Sequence, residues 1–402
     1  MSESIVLRHC EAIDPTDISL FVKRGGFQAL AKAREMGPEK VIAEIKASNL
    51  RGRGGAGFPC GAKWELARSG RGDEKYVICN ADEGEVGTFK DRYIIRHDPF
   101  ALLEGIAIAA FAIGAKKAYI YLRAEYHSLL DDLKSAVDRA AAKGFVDLPV
   151  EIREGAGAYV CGEESALMNS IEGRRGEARF RPPFPPTSGL FGKPTVINNV
   201  ETLMNIAPII ADGAAWFSRL GTPKSTGTKV FSVSGDVRRP GVYEVVMGSS
   251  LSSLLSLAGA GQVKMVQIGG ATGGIVPSSM AETPLSYETV LGSGAITVFD
   301  TTRDVIDFAY RTMEFLNEES CGLCTPCREG TEVMMEIFTR LVHGEGVAED
   351  VPALERLSRL MMQSSLCGLG QAAPIPVLDT LKYFRNDYEN RIAQSVFLRT
   401  LR

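Results

Sequence analysis

Cys321-Gly322-Leu323-Cys324-Thr325-Pro326-Cys327 sets three thiols at strict three-residue intervals. A fourth, Cys367, follows within Ser365-Leu366-Cys367-Gly368-Leu369-Gly370. Four thiolates is the ligand count of a cubane [4Fe–4S] cluster. A compact loop can bring the first three to one corner, and a returning helix can deliver the fourth. The rival is a structural zinc site with four cysteine ligands, which ordinarily comes as two separate C-x-x-C pairs. The triple repeat with one remote partner fits iron–sulfur chemistry better. A cluster implies electron transfer, so the rest of the chain should hold the electron source.

The 402 residues suffice for two to four domains. Hydrophobic residues make up 45% and charged residues 23%, an ordinary globular balance, and a net charge of −4 without a basic block argues against nucleic acid. Met1-Ser-Glu-Ser-Ile5 lacks the basic start and apolar run of a signal peptide. The most apolar stretch, Ala101 to Ile113, is too short to span a bilayer. Eight cysteines in such a chain read as cytoplasmic thiols or metal ligands. Cys10, Cys60, Cys79 and Cys161 lack ligand spacing and are expected to stay reduced. The expected location is the cytoplasm, with peripheral attachment to the inner face of the cell membrane through partners as a variant.

Residues 1–50 read as a helical arm, with apolar residues at helical spacing after Gly26 and after Pro38. Arg51-Gly52-Arg53-Gly54-Gly55-Ala56-Gly57-Phe58-Pro59 then satisfies G-x-G-x-x-G. A dinucleotide fingerprint must follow a strand and open a helix. Here a helix precedes and Phe58-Pro59 follows, so the usual form fits poorly. A glycine-rich loop can still wrap a phosphate or a flat ring, or be merely a surface loop. Lys63 could supply a point charge to a phosphate or be solvated.

Tyr76-Val-Ile-Cys79 reads as a buried parallel strand ending in Asn80-Ala-Asp82-Glu83-Gly84-Glu85. Ligands of open α/β sheets bind beyond strand carboxyl ends, which places Asn80, Asp82 and Glu83 for hydrogen bonding. A helix from Pro99 to Ile113, a strand Lys117–Leu122, a helix from Glu125 to Ala142 and a strand from Val150 complete a βαβαβ progression. Gly155 to Leu167 repeats the sequence of strand end, glycine turn and helix, and Glu163-Glu164 could be a capping device alone. Gly173 to Pro186 is an arginine- and proline-rich loop with Phe180 and Phe184, suited to a nucleotide or to a solvated linker. Asn198-Asn199-Val-Glu-Thr202 opens a helix with a good N-cap.

Taken in order, the Arg51–Pro59 loop, Asn80-Ala-Asp-Glu83, Cys161-Gly-Glu-Glu164, Pro182-Pro-Phe-Pro185, Asn198-Asn199 and the cysteine set resemble the NADH-binding flavoprotein subunit of respiratory complex I, the 51-kDa type. The same family includes flavin subunits of soluble NAD-linked hydrogenases and formate dehydrogenases. The resemblance covers about residues 20 to 390. It implies FMN held by Gly52, Arg53, Gly54, Lys63, Asn80, Asp82, Gly162, Asn198, Asn199 and Thr202, with Glu83 and Glu163 beside it. It implies NADH against Phe58, Glu85, Tyr159, Glu164, Arg181 and Phe184, and a [4Fe–4S] cluster on Cys321, Cys324, Cys327 and Cys367. Arg181 stands where relatives often have Lys, and Leu66 where some have an adenine-stacking Phe. Glu85, beside the ribose, would repel a 2′-phosphate, so NADH is expected over NADPH.

The implied fold is α/β: a Rossmann-like parallel sheet over 51–225 after the arm 1–50, a ubiquitin-like β-grasp domain over 226–301, and a helical cluster domain over 302–402. Short strands are expected from Lys229, Gly241, Met265 and Ala295, with a helix over Leu251–Ala258. Val305, Ile306, Ala309, Met313 and Leu316 form one apolar stripe, and Val333, Met334, Ile337 and Leu341 another. The implied function is an NADH dehydrogenase subunit: hydride passes between NADH and FMN, and single electrons pass to the cluster and on to a partner. No side chain need act as general acid or base. A separate thioredoxin-like [2Fe–2S] subunit is the expected partner, because no further cysteine set occurs here. Ser365 to Pro374 and Lys382 to Tyr388 look closer to the soluble hydrogenase and formate dehydrogenase relatives than to complex I proper. The competing class is a non-catalytic, nucleotide-sensing iron–sulfur assembly subunit.

Overall fold

The computed structural model describes residues 4–10, 12–289 and 291–400, with side chains to residue 395. The arm holds α1 (Ile18–Lys23), α2 (Gln28–Met36) and α3 (Pro38–Ala47), and α4 (Cys60–Ser69) follows the glycine loop. Asp17 caps α1 by accepting from Ser19 and Leu20 amides, and Pro38 opens α3 where its missing N–H costs nothing. The extreme N-terminal segment is pinned from far along the chain. The Glu244 carboxylate accepts from the amides of Ile5, Val6 and Leu7 at 3.0, 2.9 and 2.9 Å.

The first sheet is wholly parallel. It comprises β1 (Tyr76–Ala81), β2 (Lys117–Leu122), β3 (Val150–Glu154) and β4 (Thr195–Asn199), in spatial order β3-β2-β1-β4. Between strands run α5 (Lys90–His97), α6 (Pro99–Ile113), α7 (Leu130–Ala142) and α8 (Glu164–Ile171). Every residue of α6 except Phe111 is buried, as expected for a helix apolar on all sides. Its Glu104 is buried too and accepts from the Leu30 amide at 3.0 Å, which ties the arm to the sheet layer.

One local expectation needed correction: the helix expected from Glu125 begins as a 3-10 turn over Ala124–Leu129, and α7 starts only at Leu130. The N-cap expected at Asn198-Asn199 is realised, with Asn199 capping the helix α9 (Val200–Met204), but the two asparagines also close a strand not expected from the sequence. Thr195-Val-Ile is a β-branched run, and it pairs with β1 because that central strand needs a second neighbour.

After α10 (Ile206–Asp212), α11 (Ala214–Ser218) and a small hairpin of β5 (Gly221–Thr222) and β6 (Ser225–Thr226) comes a mixed sheet. Its strands are β7 (Thr228–Gly235), β8 (Gly241–Val246), β9 (Val263–Ile268), β10 (Gly274–Pro277) and β11 (Ala295–Asp300), in order β10-β9-β11-β7-β8, with α12 (Leu251–Ala258) packed on it. The β7 and β11 strands run parallel and the other pairs antiparallel, a β-grasp arrangement. The remaining helices are α13 (Val305–Glu318), α14 (Thr325–Val342), α15 (Asp350–Ser364), α16 (Gly368–Ala372), α17 (Ile375–Tyr383) and α18 (Arg385–Thr400). The expected stripe of α13 is buried in full. On α14, Met334, Ile337 and Leu341 are buried but Val333 faces out, one helical step off the seam.

Candidate functional site

The order β3-β2-β1-β4 makes the junction of β1 and β4 a topological switch point, where the crossovers leave in opposite directions and a crevice opens beyond the strand ends. Register pairs Asn80 with Asn199 at those carboxyl ends. The glycine loop closes over the same place. Its neck is the Gly52 amide on Phe58 O at 2.9 Å and the bridge between Arg51 and Pro59. Gly55 and Gly57 adopt positive φ, and a Cβ on Gly54 would stand 2.9 Å from Asn199 Cβ. Gly54 therefore presses directly on β4.

The side chains expected to hold FMN divide into those already engaged and those left open. Asn198 Oδ1 accepts from Trp64 Nε1 at 2.9 Å, so that side chain faces α4. Thr202 Oγ1 accepts from the Arg53 amide at 2.8 Å and fixes the loop. Asn80 Nδ2 donates to Gly162 O at 2.9 Å. Glu83 turns away from the crevice: its carboxylate accepts from the amides of Asp91 and Arg92 at the start of α5 and from Tyr126 Oη. Lys63 reaches Glu164 at 3.3 Å and Ile197 O at 3.1 Å and is not a solvated lysine.

Buried polar atoms left without a partner among the described residues include Arg53 Nε, Asp82 Oδ2 and Arg123 Nη1. Such orphans are costly unless something else satisfies them. Arg53 Nη2 donates to Thr226 O at 2.6 Å, so its guanidinium faces the β5–β6 hairpin, while the Asp82 acceptor beyond β1 suits a ligand with donor groups, as FMN has. Burial pushes Asp82 up to about 7, against the Arg123 guanidinium, which lowers it, and Glu125 and Glu319, which raise it further. Arg123 was not anticipated; nothing in its sequence context marks it.

The residues expected to contact the nucleotide fall into two linked groups, Arg181 with Glu163 and Glu164, and Glu85 with Tyr159. Phe58 and Phe184 are about half exposed. Arg181 pairs with Glu163 and lies 3.2 Å from Glu164. Glu163 also caps α8, accepting from the Ser165 and Ala166 amides, so the capping role is realised. Glu85 is half-buried and accepts from Tyr159 Oη at 2.7 Å and Thr272 Oγ1 at 3.1 Å. Burial raises its carboxyl, and those two bonds oppose the rise. Thr272 comes from the glycine-rich turn after β9.

The cysteine loop lies against this site. Arg175 Nη2 donates to Cys321 O at 2.7 Å, and the Tyr159 ring packs edge-on to Phe315 of α13. Cys327 is buried at the start of α14, and Ser320 Oγ lies 3.3 Å from its sulfur. Burial pushes the Cys327 thiol up to about 11, and Cys324, Cys367 and Cys321 all add to the rise. Cys367, raised by burial, is opposed by amides of Gly370 and Leu369. Buried thiols such as Cys327 and Cys367 ionise readily only beside a strong cation, which a metal centre supplies. Among the described residues no three His, Cys, Asp or Glu gather as they would round one metal ion; a four-iron centre seats each thiolate on its own iron. Among the described residues, Cys60, Cys79, Cys161, Cys321, Cys324, Cys327 and Cys367 carry free thiols. Among the described residues no helix is long and apolar enough to cross a membrane.

Comparison with known proteins agrees with this geometry. Residues 45–208 match the Nuo51 FMN-binding domain, 230–274 the SLBB domain, and 307–391 the NADH-ubiquinone oxidoreductase-F iron–sulfur binding region. The last match spans all four ligand candidates and favours iron–sulfur over zinc. The chain is 40% identical to a NADH-quinone oxidoreductase subunit of Rhizobium meliloti over 98% of its own length and 99% of the relative's. It is 42% identical to the HndC subunit of the NADP-reducing hydrogenase of Solidesulfovibrio fructosivorans, over 96% of this chain and 83% of that one. A crystal structure of an NAD+-reducing [NiFe]-hydrogenase in the H2-reduced state superposes with a TM-score of 0.90 at 40% identity, covering 97% of this chain and 67% of that one. With FMN-binding and iron–sulfur regions matched in order and full-length relatives at this identity, the chain belongs to the family of NADH-binding FMN and [4Fe–4S] flavoproteins that serve complex I-type and NAD-reducing hydrogenase-type enzymes.

Proposed function

We propose that FMN lies over the β1–β4 switch point, that NADH enters above it between Phe58, Phe184 and Arg181, and that Cys321, Cys324, Cys327 and Cys367 hold the cluster. The observation that carries this reading is the pairing of Asn80 with Asn199 under a glycine loop whose Gly54 cannot accept a Cβ. The flavin, when bound, supplies conversion between a two-electron hydride and single electrons. This chain's part is to orient and to exclude. Gly52, Arg53, Gly54, Lys63, Asn80, Asp82, Gly162, Asn198, Asn199 and Thr202 form the floor and loop, Glu83 acts through α5, and Glu163 and Glu164 hold Arg181 at the entrance. Units of 1–50, 51–225, 226–301 and 302–402 then correspond to arm, flavin domain, β-grasp domain and cluster domain.

Glu85 supports NADH over NADPH, since a half-buried carboxylate repels a further phosphate. The name of the Solidesulfovibrio relative, NADP-reducing, makes this a point for measurement. We also assign the chain to a hydrogenase-type assembly, which the hydrogenase superposition supports, and infer a separate [2Fe–2S] subunit as its partner because the chain has no further cysteine set. The test is anaerobic titration of the purified chain with NADH and then NADPH, following flavin absorbance and the reduced-cluster signal. Bleaching by NADH alone is the expected result. Equal bleaching by NADPH would remove the selectivity, and protein carrying FMN that neither nucleotide bleaches would remove the hydride site. Cys367→Ala should lose iron while keeping flavin.

A further inference from the structure

Behind the glycine loop lies a buried cage of charge. Lys90, Asp91, Glu201 and Lys229 are each at least 98% buried. Lys229 Nζ lies 2.5 Å and Lys90 Nζ 3.0 Å from the same Glu201 Oε2. Lys90 also binds Asp91 Oδ1 at 2.6 Å and reaches Asn199 Oδ1 at 3.3 Å, and Asn199 Nδ2 donates to Asp91 Oδ2 at 2.6 Å. Lys229 completes its own donors on Val230 O and Ser293 O. A Cβ on Gly294 would stand 2.7 Å from its Nζ, so the backbone closes tightly over it.

Two cations and two carboxylates out of water are weak evidence for stability, because desolvation offsets most of their attraction. Their value is to hold a geometry. What they hold is the Asn199 side chain, and Asn199 is the residue on which Gly54 presses. Three of the four charges come from α5 and α9 of the parallel-sheet domain. The fourth, Lys229, comes from β7, the first long strand of the β-grasp sheet, whose residues 230–274 match the SLBB domain. Without it the cage carries one excess negative charge.

We propose that Lys229 is a positioning residue for the flavin: through Glu201, Lys90 and Asp91 it fixes the Asn199 side chain under the glycine loop, and its charge sets the potential that the flavin feels. The β-grasp domain thus closes the flavin site from behind. The proposal rests on FMN lying at the β1–β4 switch point.

The experiment uses the full chain loaded with its cofactors, measuring FMN dissociation and the flavin midpoint potential. Lys229→Met should weaken FMN roughly tenfold, equivalent to about 1.4 kcal/mol, and lower the midpoint, because reduction adds negative charge beside an uncompensated carboxylate. Glu201→Gln should raise the midpoint. The double variant, neutral again, should return towards the original value, and Lys229→Arg should stay near it. A merely structural lysine would give no opposed shifts and no return. If Lys229→Met fails to fold, Glu201→Gln and Lys229→Arg still carry the test: an unmoved midpoint in Glu201→Gln overturns the proposal. Asn199→Ala separates the two readings. If it leaves FMN affinity unchanged, the flavin placement fails; if it loses FMN while Lys229→Met shifts neither affinity nor midpoint, only the role of Lys229 fails.

Discussion

The Glu319 carboxylate accepts a hydrogen bond from the Tyr159 amide at 2.9 Å across 160 residues of sequence. Glu319 stands two residues ahead of Cys321, and Tyr159 binds Glu85 through its hydroxyl. A single carboxylate thus joins the nucleotide side of the molecule to the cysteine loop. A bond of this kind is worth about 1 kcal/mol, roughly fivefold in an equilibrium constant. Glu319→Ala should raise KM for NADH about that much and alter the low-temperature magnetic resonance signal of the reduced cluster, with flavin content unchanged. Glu319→Gln keeps an acceptor and should lie between. If KM and the cluster signal both stay put, the join has no functional weight.

Thr272 holds Glu85 from the other side. Thr272→Val keeps the shape and removes the hydroxyl that donates to Glu85 Oε2. The freed carboxylate loses its fixed aim, so discrimination between NADH and NADPH should fall by roughly fivefold, on the same hydrogen-bond scale. Glu85→Gln should lower it further. The ratio of kcat/KM for the two nucleotides is the readout, and an unchanged ratio in both variants would clear this pair of any selectivity role.

Gly54→Ala should displace the loop, since its Cβ would meet Asn199 Cβ at 2.9 Å. Such overpacking costs about 1–3 kcal/mol. The cost should appear as lost FMN occupancy, measured by released flavin, while iron content holds.

Asp98 makes stability depend on pH in an unusual sense. It caps α6 by accepting from the Ala101 amide at 3.2 Å, and burial pushes its carboxyl up to about 7. The unfolded chain gives up this proton near pH 4, whereas the folded chain keeps it to about pH 7. Between those values the native state binds the extra proton, so stability falls as pH rises, by about 1.4 kcal/mol per pH unit for one proton. The contribution is full below pH 4 and gone above about 7. Asp98→Asn retains the cap and should flatten that slope. Melting temperatures at pH 5 and pH 7.5 would check it, and equal slopes in the two proteins would refute it.

The architecture was legible where pattern is dense. The strands from Tyr76, Lys117, Val150, Lys229, Gly241 and Ala295, the largely apolar helix from Pro99, and Leu251–Ala258 lie where their sequence patterns put them. The strand Thr195–Asn199 was hidden, because five residues whose last is itself an N-cap read as the approach to a helix. Only the need of β1 for a partner reveals it. Residue roles were less legible than residue identity. Glu83 sits in the motif, but its carboxylate serves α5. Arg123, Lys229, Glu319 and Thr272 sit in no motif; tertiary folding brings each to the site from another segment, and no local spacing records that.

The Glu244 clasp on the N-terminal amides has a consequence for the order of events during synthesis. Ile5 leaves the ribosome 239 residues before its acceptor. At about 5–20 residues per second, that leaves the arm without its clasp for roughly 10–50 s. The glycine loop precedes Lys229 by about 175 residues, or roughly 9–35 s. A nascent chain therefore displays a half-built crevice long before β7 and β8 arrive to close it, and cofactor insertion on the ribosome would have to wait for the middle of the chain.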